Sequence, residues 1–317
     1  MKKGFSPLTP EEKILTLYAG GTRDFSKSNL KKAKFQEVIL TRINLKAANL
    51  QSSVFMGVDL EAGDLEAANL KQAEFLRTNL TDADLRGANL TSARFTSTDF
   101  CQTKLQGANL RKTCFMWVQN FNKADFTGAD FSEANLTCTN LEKVNLEGVN
   151  LKKANLGGAR LIETDLSNAQ IEDTFFEEAF YNEKTRFSQN FDPTSAGMIL
   201  IAPGVKLSGA NLEEMLLFEL DLSNADFTGT QLSAATLDKS NLSGANLQKA
   251  DLVAAELKEA NLTNADFAEA NLCGADLAGA IIANTNFENA IYDDETIFPE
   301  GFEPKSAGMT WEEIDAF

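Results

Sequence analysis

Large apolar residues recur at every fifth position of this chain and are separated mostly by polar residues. The first run begins at Phe25 and Leu30 and continues in one frame to Phe115. A period of five matches neither the 3.6-residue period of an amphipathic helix nor the alternation of a half-buried strand. The pattern therefore indicates a repeat protein in which each unit places one large apolar residue in the interior.

The five-residue frame changes twice along the chain. It shifts by one residue within 116–121 and then continues from Phe126 to Phe176. A third block runs from Leu207 to Tyr292. In each block a small residue, most often Ala, stands two positions before the large one, and we expect both to face inward because a narrow interior needs a small neighbour beside a large side chain.

The repeated unit is thus Ala, then Asp or Asn, then Leu or Phe, then two polar residues, as in Ala210-Asn211-Leu212 and Ala275-Asp276-Leu277. These units resemble those of the pentapeptide-repeat family, and they cover most of the chain from Phe25 to Tyr292. The resemblance implies an all-β fold, a right-handed quadrilateral parallel β-helix (a solenoid) with four units per coil. The segment 14–25 is also similar to the N-terminal cap of cyanobacterial members of the family.

The spacing of phenylalanines supports four units per coil on its own. If one coil takes twenty residues, residues twenty apart stack on the same face. Phenylalanines keep this interval in both halves of the chain, at Phe35, Phe55, Phe75, Phe95 and Phe115, and at Phe227, Phe267 and Phe287. The spacing predicts a column of stacked rings inside the coil, an arrangement that is favourable beyond the area it buries.

A second kind of repeat predicts two modules. The segment 179–198 recurs as 290–309, and each copy directly follows a block of five-residue units. We interpret this segment as the terminator of a β-helix. The predicted organisation is an N-terminal capping helix (1–24), a first β-helix (25–181), a cap or linker (182–203), a second β-helix (204–292) and a C-terminal cap with a short helix (293–317).

Helix signals occur near both ends of the chain. Thr9 is a suitable N-cap, Pro10 suits the first helical position, and Glu12 completes a capping box. We predict a short helix there that covers the first coil. At the other end, Thr310 is predicted to cap a closing helix from Trp311 to Phe317.

Charge is distributed unevenly. The whole chain has a net charge of −17, but residues 1–200 hold 24 Lys and Arg against 25 Asp and Glu, whereas residues 201–317 hold 5 against 21. The lysines from Lys27 to Lys34 are expected to form a solvated face. The acidic second module suggests a DNA mimic, a role that the resemblance implies for the members of the family that protect DNA gyrase.

Charge density argues for caution about mimicry. Residues 204–292 carry a net charge of −9, which over coils of about 4.8 Å each amounts to one charge per ~2.4 Å, against ~1.7 Å in B-DNA. Several acids also stand just before the large residue, where a hydrogen bond at the corner of the coil can use them. These are Asp226, Asp251, Asp266 and Asp276. Solubility and protection against end-to-end stacking form the simpler explanation.

Catalysis is not expected from this composition. The chain has no histidine and no Walker A, Gly-x-Ser-x-Gly or Gly-x-Gly-x-x-Gly motif. We expect no catalytic residue, cofactor or metal. The four cysteines lack paired spacing, and there is neither a signal peptide nor an apolar run of about 20 residues. We therefore expect a cytoplasmic protein with reduced thiols and without membrane association.

Residues that interrupt the repeat are the candidates for recognition. Met116, Trp117 and Val118 place large apolar side chains where the repeat has polar exterior ones. The alternative, which we favour at this stage, is that Trp117 folds over the coil and covers a bulge. Trp311 and Phe317 are expected to dock on the last coil. The family resemblance implies that such a C-terminal segment can also form dimers, so a monomer and a dimer through the C-terminal cap both stay open.

The sequence therefore predicts a non-enzymatic protein-interaction or scaffolding module that presents rigid β-helix faces to a protein partner. Direct nucleic-acid binding is not expected. The alternative function is an acidic DNA mimic that binds a DNA-binding protein such as DNA gyrase. An assay of gyrase supercoiling separates the two, because a lack of inhibition at micromolar protein removes the mimic.

Overall fold

The computed structural model describes residues 8–118 and 120–312. The chain forms a parallel β-solenoid of about 14 turns, divided into two compact units, Met1–Ile199 and Leu200–Phe317. The predicted all-β, quadrilateral β-helix is confirmed. The division between the units lies inside the segment 182–203 that the sequence assigns to a cap or linker.

Successive coils are joined by parallel backbone hydrogen bonds between residues about twenty apart. Leu65 N donates to Asp84 O at 2.7 Å, and Asp84 N donates to Gly63 O at 2.8 Å. The side chains between these bonds alternate in direction, so that Leu85 and Ala83 have no exposed surface. The predicted inward orientation of the large residue and of the small residue two positions before it is confirmed.

Each corner of the coil is turned by the residue two positions after the large apolar one. The backbone angle φ is 62° at Lys32 and 60° at Gln72, a left-handed conformation that costs free energy for residues other than Gly. The Asp or Asn before the large residue offsets part of this cost, because its side-chain oxygen accepts a hydrogen bond from the N–H two residues later. Between Glu66 N and Asp64 Oδ1 this bond is 3.0 Å long.

One face of the first unit is regular enough to form short strands. They stack in chain order as a five-stranded parallel sheet, and their bounds are β1 Lys34–Gln36, β2 Val54–Met56, β3 Glu74–Leu76, β4 Arg94–Thr96 and β5 Cys114–Met116. The five phenylalanines at their centres form the predicted column. Neighbouring ring centroids lie 4.9 to 5.3 Å apart, with interplanar angles of 8° to 18°.

The N-terminal end is covered by the predicted helix, α1 Pro10–Ala19. Both hydrogen bonds of the capping box are formed, from Thr9 N to Glu12 Oε2 at 2.8 Å and from Glu12 N to Thr9 Oγ1 at 3.3 Å. Ile14 is the buried residue of this helix and belongs to the core of the first unit.

The duplicated segment forms the same cap in both units. In the first, strand β6 Phe180–Tyr181 pairs with β7 Ile199–Leu200; in the second, β8 Ile291–Tyr292 pairs with β9 Thr310–Trp311. Each cap holds three aromatic contacts, with the same centroid distances of 5.3, 5.6 and 5.1 Å in both copies. The sequence duplication is therefore a structural duplication.

The predicted closing helix is wrong at its first residue. Trp311 lies in β9 because its flanking amides are bound by the last coil: Thr310 N donates to Ala290 O at 2.8 Å, and Glu312 N donates to Tyr292 O at 2.9 Å. Residues 313–317 of the predicted helix, including Phe317, lie outside the described residues. A short 3₁₀ helix, Pro304–Ala307, precedes β9 instead.

One pair of equivalent cap residues differs in charge. Asn182 Oδ1 accepts hydrogen bonds from Glu163 N and Lys184 N, and Asp293 Oδ1 accepts from Gly274 N at 2.8 Å and Glu295 N at 3.1 Å. Burial alone would raise the pKa of Asp293. The hydrogen bonds outweigh burial and hold the pKa below its usual range.

We expect Asp293→Asn to change the acid sensitivity of the second unit. A carboxyl whose pKa is lowered by folding stabilises the fold above its unfolded pKa of about 3.9, and this stabilisation is lost as the pH falls through the lowered value. Urea unfolding at neutral and acidic pH should therefore show that wild type loses about 1 kcal/mol more than the variant below about pH 4. Parallel pH profiles for the two proteins would contradict this.

Candidate interaction surfaces

The frame shift places an exposed tryptophan at a corner of the first unit. Trp117 is 66 % exposed and Met116 is 40 % exposed. The interpretation that Trp117 folds over the coil is therefore wrong. Val118 is fully buried, so its assignment to an interaction surface is also wrong, because its side chain fills the inward position that Val58, Thr78 and Thr98 take in the preceding coils.

Trp117 occupies a turn position that is polar or glycine in the preceding coils. It stands two residues after Phe115 and has φ of 56°, a conformation that is rare for a bulky side chain. The corresponding residues of the preceding coils are Glu37, Gly57, Arg77 and Ser97. The backbone conformation is thus the ordinary one for this corner, and only the side chain is exceptional.

The extra residue is accommodated between Trp117 and Phe121, and from Phe121 onward the inward side chains again stack on those of the preceding coil. Phe100 N donates to Asn120 O at 3.0 Å, and the rings of Phe100 and Phe121 stack with centroids 5.2 Å apart. The regular interval of twenty residues is therefore twenty-one at this step.

A depression of about 240 Å³ lies on the face that follows this corner. It is lined by Asn120, Phe121, Asn122, Asn140, Glu142 and Lys143. In the part of the chain that the structure describes, no backbone hydrogen bond joins Phe121 N to Asn140 O, whereas the same bond of the next coil, Leu141 N to Arg160 O, is 2.9 Å long. The two coils separate here, and the depression is the gap between them.

The floor of the depression holds an ionic cluster. Glu142 Oε2 accepts from Arg160 Nη2 at 2.6 Å and from Arg160 Nε at 3.0 Å, while Glu142 Oε1 accepts from Lys143 Nζ at 2.6 Å. Burial alone would raise the pKa of Glu142, but the hydrogen bonds from Lys143 and Arg160 outweigh it and lower the pKa. Sequence reasoning missed these residues, although the one-residue shift pointed to their position.

Of the C-terminal candidates, Trp311 is within the described residues. Trp311 belongs to the second unit and is 43 % exposed. Its Nε1 donates to Asp294 Oδ1 at 3.0 Å, which holds the indole against the cap that β9 completes. The expected docking of Trp311 on the last coil is seen, and Phe317 is outside the described residues.

Three carboxylates of the first unit come close enough to suggest a metal. Oxygens of Asp64, Glu66 and Asp84 lie within 4.8 Å of one another. Two cations already pair with two of them: Lys46 Nζ is 2.5 Å from Glu66 Oε2, and Arg86 Nη2 is 2.5 Å from Asp84 Oδ2. The cluster is a surface ion-pair network, and we assign no metal to it.

The acidic residues singled out in the second unit have a structural role. Each accepts a hydrogen bond from the N–H two residues later, at distances of 2.9 to 3.3 Å, and they are Asp226, Asp251, Asp266 and Asp276. The predicted use of these acids at the corners is confirmed. Their carboxylates are thus fixed by the coil itself.

Cys101, Cys114 and Cys273 are free thiols. Burial, followed by the nearby charges of Asp293 and Glu312, raises the pKa of Cys273 to about 11. Its thiol therefore stays protonated near neutral pH, which makes it a poor nucleophile. Among the described residues, no helix is both long and apolar enough to cross a membrane.

Four-sided coils with an inward Leu or Phe and a corner Asp or Asn define a β-helical repeat protein. Family models agree. The one described as "Pentapeptide repeat region" matches residues 28–110, and the one described as "Pentapeptide repeats (8 copies)" matches 119–148, 145–180, 204–233, 225–259 and 255–291. The matches cover more than half of the chain, which belongs to the pentapeptide-repeat family. Curated proteins gave no match.

Solved structures of the same family resemble the chain. HetL, involved in heterocyst differentiation regulation in the cyanobacterium Nostoc sp. strain PCC 7120, is 26% identical over 92% of this chain and 100% of its own, with a TM-score of 0.27. The Nostoc protein alr5209 is 19% identical over 59% and 93%, at 0.17. Full-length QnrB1, a plasmid-mediated fluoroquinolone resistance protein, is 10% identical over 88% and 94%, at 0.21. Such TM-scores carry no argument about function.

Proposed function

We propose that this chain is a non-enzymatic protein-interaction or scaffolding module, and that Trp117, with Met116 beside it, anchors a protein partner. The observation that carries the proposal is the 66 % exposure of Trp117 at a corner where other coils have small or polar residues. A tryptophan side chain can bury about 150 to 250 Å², and tryptophan is enriched among residues that dominate binding energy.

The surroundings of Trp117 support the same function. The depression lined by Asn120 and Asn140 begins three residues after Trp117 in the chain. The coil that carries Trp117 is held to the preceding coil by backbone hydrogen bonds, such as Ser97 N to Met116 O at 3.0 Å, and by the phenylalanine column. Because the surface is formed before binding, little conformational entropy is lost when a partner docks.

We expect Trp117→Ser to abolish partner capture without affecting the fold. Serine occupies the equivalent corner at Ser97, with φ of 47°, so the variant should keep the melting temperature of wild type. Loss of a central aromatic anchor typically costs about 2 kcal/mol or more of binding energy, which is more than a tenfold loss of affinity. Crosslinked pull-down from the organism that encodes the chain, followed by titration of the captured protein, measures it.

Ile39→Asn is the matched control for this experiment. Ile39 is 69 % exposed, and the residues twenty and forty positions later are Asp59 and Asn79, so the change removes a similar apolar surface from another site. Capture should persist in this variant. Equal capture by wild type and Trp117→Ser would reject the proposed anchor.

The DNA-mimic alternative receives less support. The acidity of the second unit is the main observation in favour of a DNA mimic. However, Asp226 and Asp276 are among the acids that accept hydrogen bonds from corner amides, so part of that negative charge serves to stabilise the coil. We also propose a cytoplasmic location, supported by the absence of paired cysteine spacing in the sequence. The exposed part of Trp311 supports the proposal that any dimer forms through the C-terminal cap.

A further inference from the structure

One face of the first unit carries no carboxylate over five coils. We name it the Asn face, and it consists of the outward positions of residues 29–32, 49–52, 69–72, 89–92 and 109–112. Each coil contributes one Asn, and the cations are Lys31, Lys32, Lys71, Arg111 and Lys112; the other outward positions are Gln, Ser or Thr. All ten Asp and Glu residues between positions 20 and 115 lie on the other three faces.

The asparagines of the first three coils are joined in a hydrogen-bonded ladder along the Asn face. Asn49 Nδ2 donates to Asn29 Oδ1 at 3.1 Å, and Asn69 Nδ2 donates to Asn49 Oδ1 at 3.2 Å. Lys31, Lys32 and Lys71 are exposed beside this ladder. Within residues 8–118 and 120–312, none of these three lysines forms an ion pair.

The next coil shows which group complements these cations. Arg111 Nη2 lies 3.2 Å from Glu133 Oε1, and Arg111 Nη1 lies 3.8 Å from Asp130 Oδ2. Lys112 Nζ lies 3.3 Å from Glu133 Oε2. Carboxylates on the adjacent coil, about 4.8 Å along the stack, therefore pair with cations of this face. In the first four coils of the Asn face no such carboxylate is present among the described residues.

We propose that the Asn face in the first unit binds the carboxylate-rich surface of an acidic protein. Carboxylates of the partner pair with the lysines of the first coils, as Asp130 and Glu133 of the sixth coil pair with the cations of the fifth. Nucleic acid fits less well, because the face has no aromatic side chain on which a base could stack and no projecting element that could enter a groove. The surface is separate from the Trp117 site and does not depend on it.

Binding of poly-glutamate tests the proposal. The triple variant Lys31→Gln, Lys32→Gln, Lys71→Gln should keep the fold, because Gln51 and Gln72 occupy equivalent positions on the same face, and Gln72 shares the φ of Lys32. Fluorescence titration of labelled poly-glutamate at low salt should show that the triple variant binds about tenfold more weakly, as expected for the loss of three exposed ion pairs. Added salt should weaken binding by wild type.

A second triple variant separates a specific face from net charge. Arg42→Gln, Lys104→Gln, Lys123→Gln removes the same charge from other faces of the unit, and it should bind poly-glutamate within twofold of wild type. Equal weakening in both triple variants would overturn the proposal. It would also be overturned if duplex DNA or phosphatidylserine vesicles bound more tightly than poly-glutamate and lost binding in the first variant. Trp117→Ser should leave poly-glutamate binding unchanged, so failure of one proposed site does not imply failure of the other.

Discussion

Leu85→Asp is expected to destabilise the first unit by about 4 kcal/mol or more, because a carboxylate without a partner would be buried in the coil. Leu85 has no exposed surface, and its neighbours in the column, Leu65 and Leu105, are also fully buried. The buried charge would be avoided only if the carboxylate took up a proton or the coil opened. Circular dichroism during urea or thermal unfolding measures the loss.

Gly87→Asp is the control for Leu85→Asp. It adds the same charge two residues away, where a Cβ would meet no atom within 4 Å. Asp82 already occupies the equivalent turn position with φ of 58°, so the control should cost less than about 1 kcal/mol. If Leu85→Asp melted at the wild-type temperature, the inward assignment of the apolar positions would be wrong.

Phe75→Ala should destabilise the first unit by about 3 to 5 kcal/mol. The ring of Phe75 stacks on Phe55 and on Phe95 with centroids 4.9 Å apart in both directions. Its removal breaks two aromatic contacts and leaves a cavity that a rigid coil cannot close, since the ladder on either side fixes the spacing of the coils. Equilibrium unfolding in urea provides the measurement.

Phe75→Leu distinguishes the cavity from the chemistry of the ring. Leucine stands in the same column after the frame shift, at Leu136 and Leu156, and both are buried. This variant should therefore cost less than about 1.5 kcal/mol. Similar losses in the alanine and leucine variants would mean that stacking, rather than filled volume, stabilises the column.

The period of five predicted most of the fold because every unit has the same local requirements for packing and hydrogen bonding. A large side chain such as Leu65 needs a small neighbour inside, and the corner that follows needs an acceptor such as Asp64 for a free N–H. These requirements involve residues close in sequence or twenty apart, so a pattern reveals them. The capping box at Thr9 is local in the same sense, and it was predicted correctly.

Predictions failed where a distant backbone decides the conformation. Trp311 follows an N-cap signal at Thr310, yet the carbonyl of Ala290 and the carbonyl of Tyr292 bind the backbone on either side of it and draw it into a strand. Trp117 and Val118 look alike in the sequence as apolar residues at a frame shift. Only the turn geometry shows that one points outward and the other fills the interior.

The sequence by itself determined the five-residue unit, the four-sided coil, the phenylalanine column, the duplicated cap and the uneven charge, because each is a spacing, a repeated segment or a composition that is visible along the chain. Only the tertiary structure decided what is accessible on the outside. In the folded chain Trp117 is exposed, and two coils separate beside it. The acids of the second unit accept hydrogen bonds at corners, and the carboxylate-free positions share one face. Exposure depends on how an extra residue is absorbed and on which positions share a face, and both are properties of stacked coils rather than of a single unit.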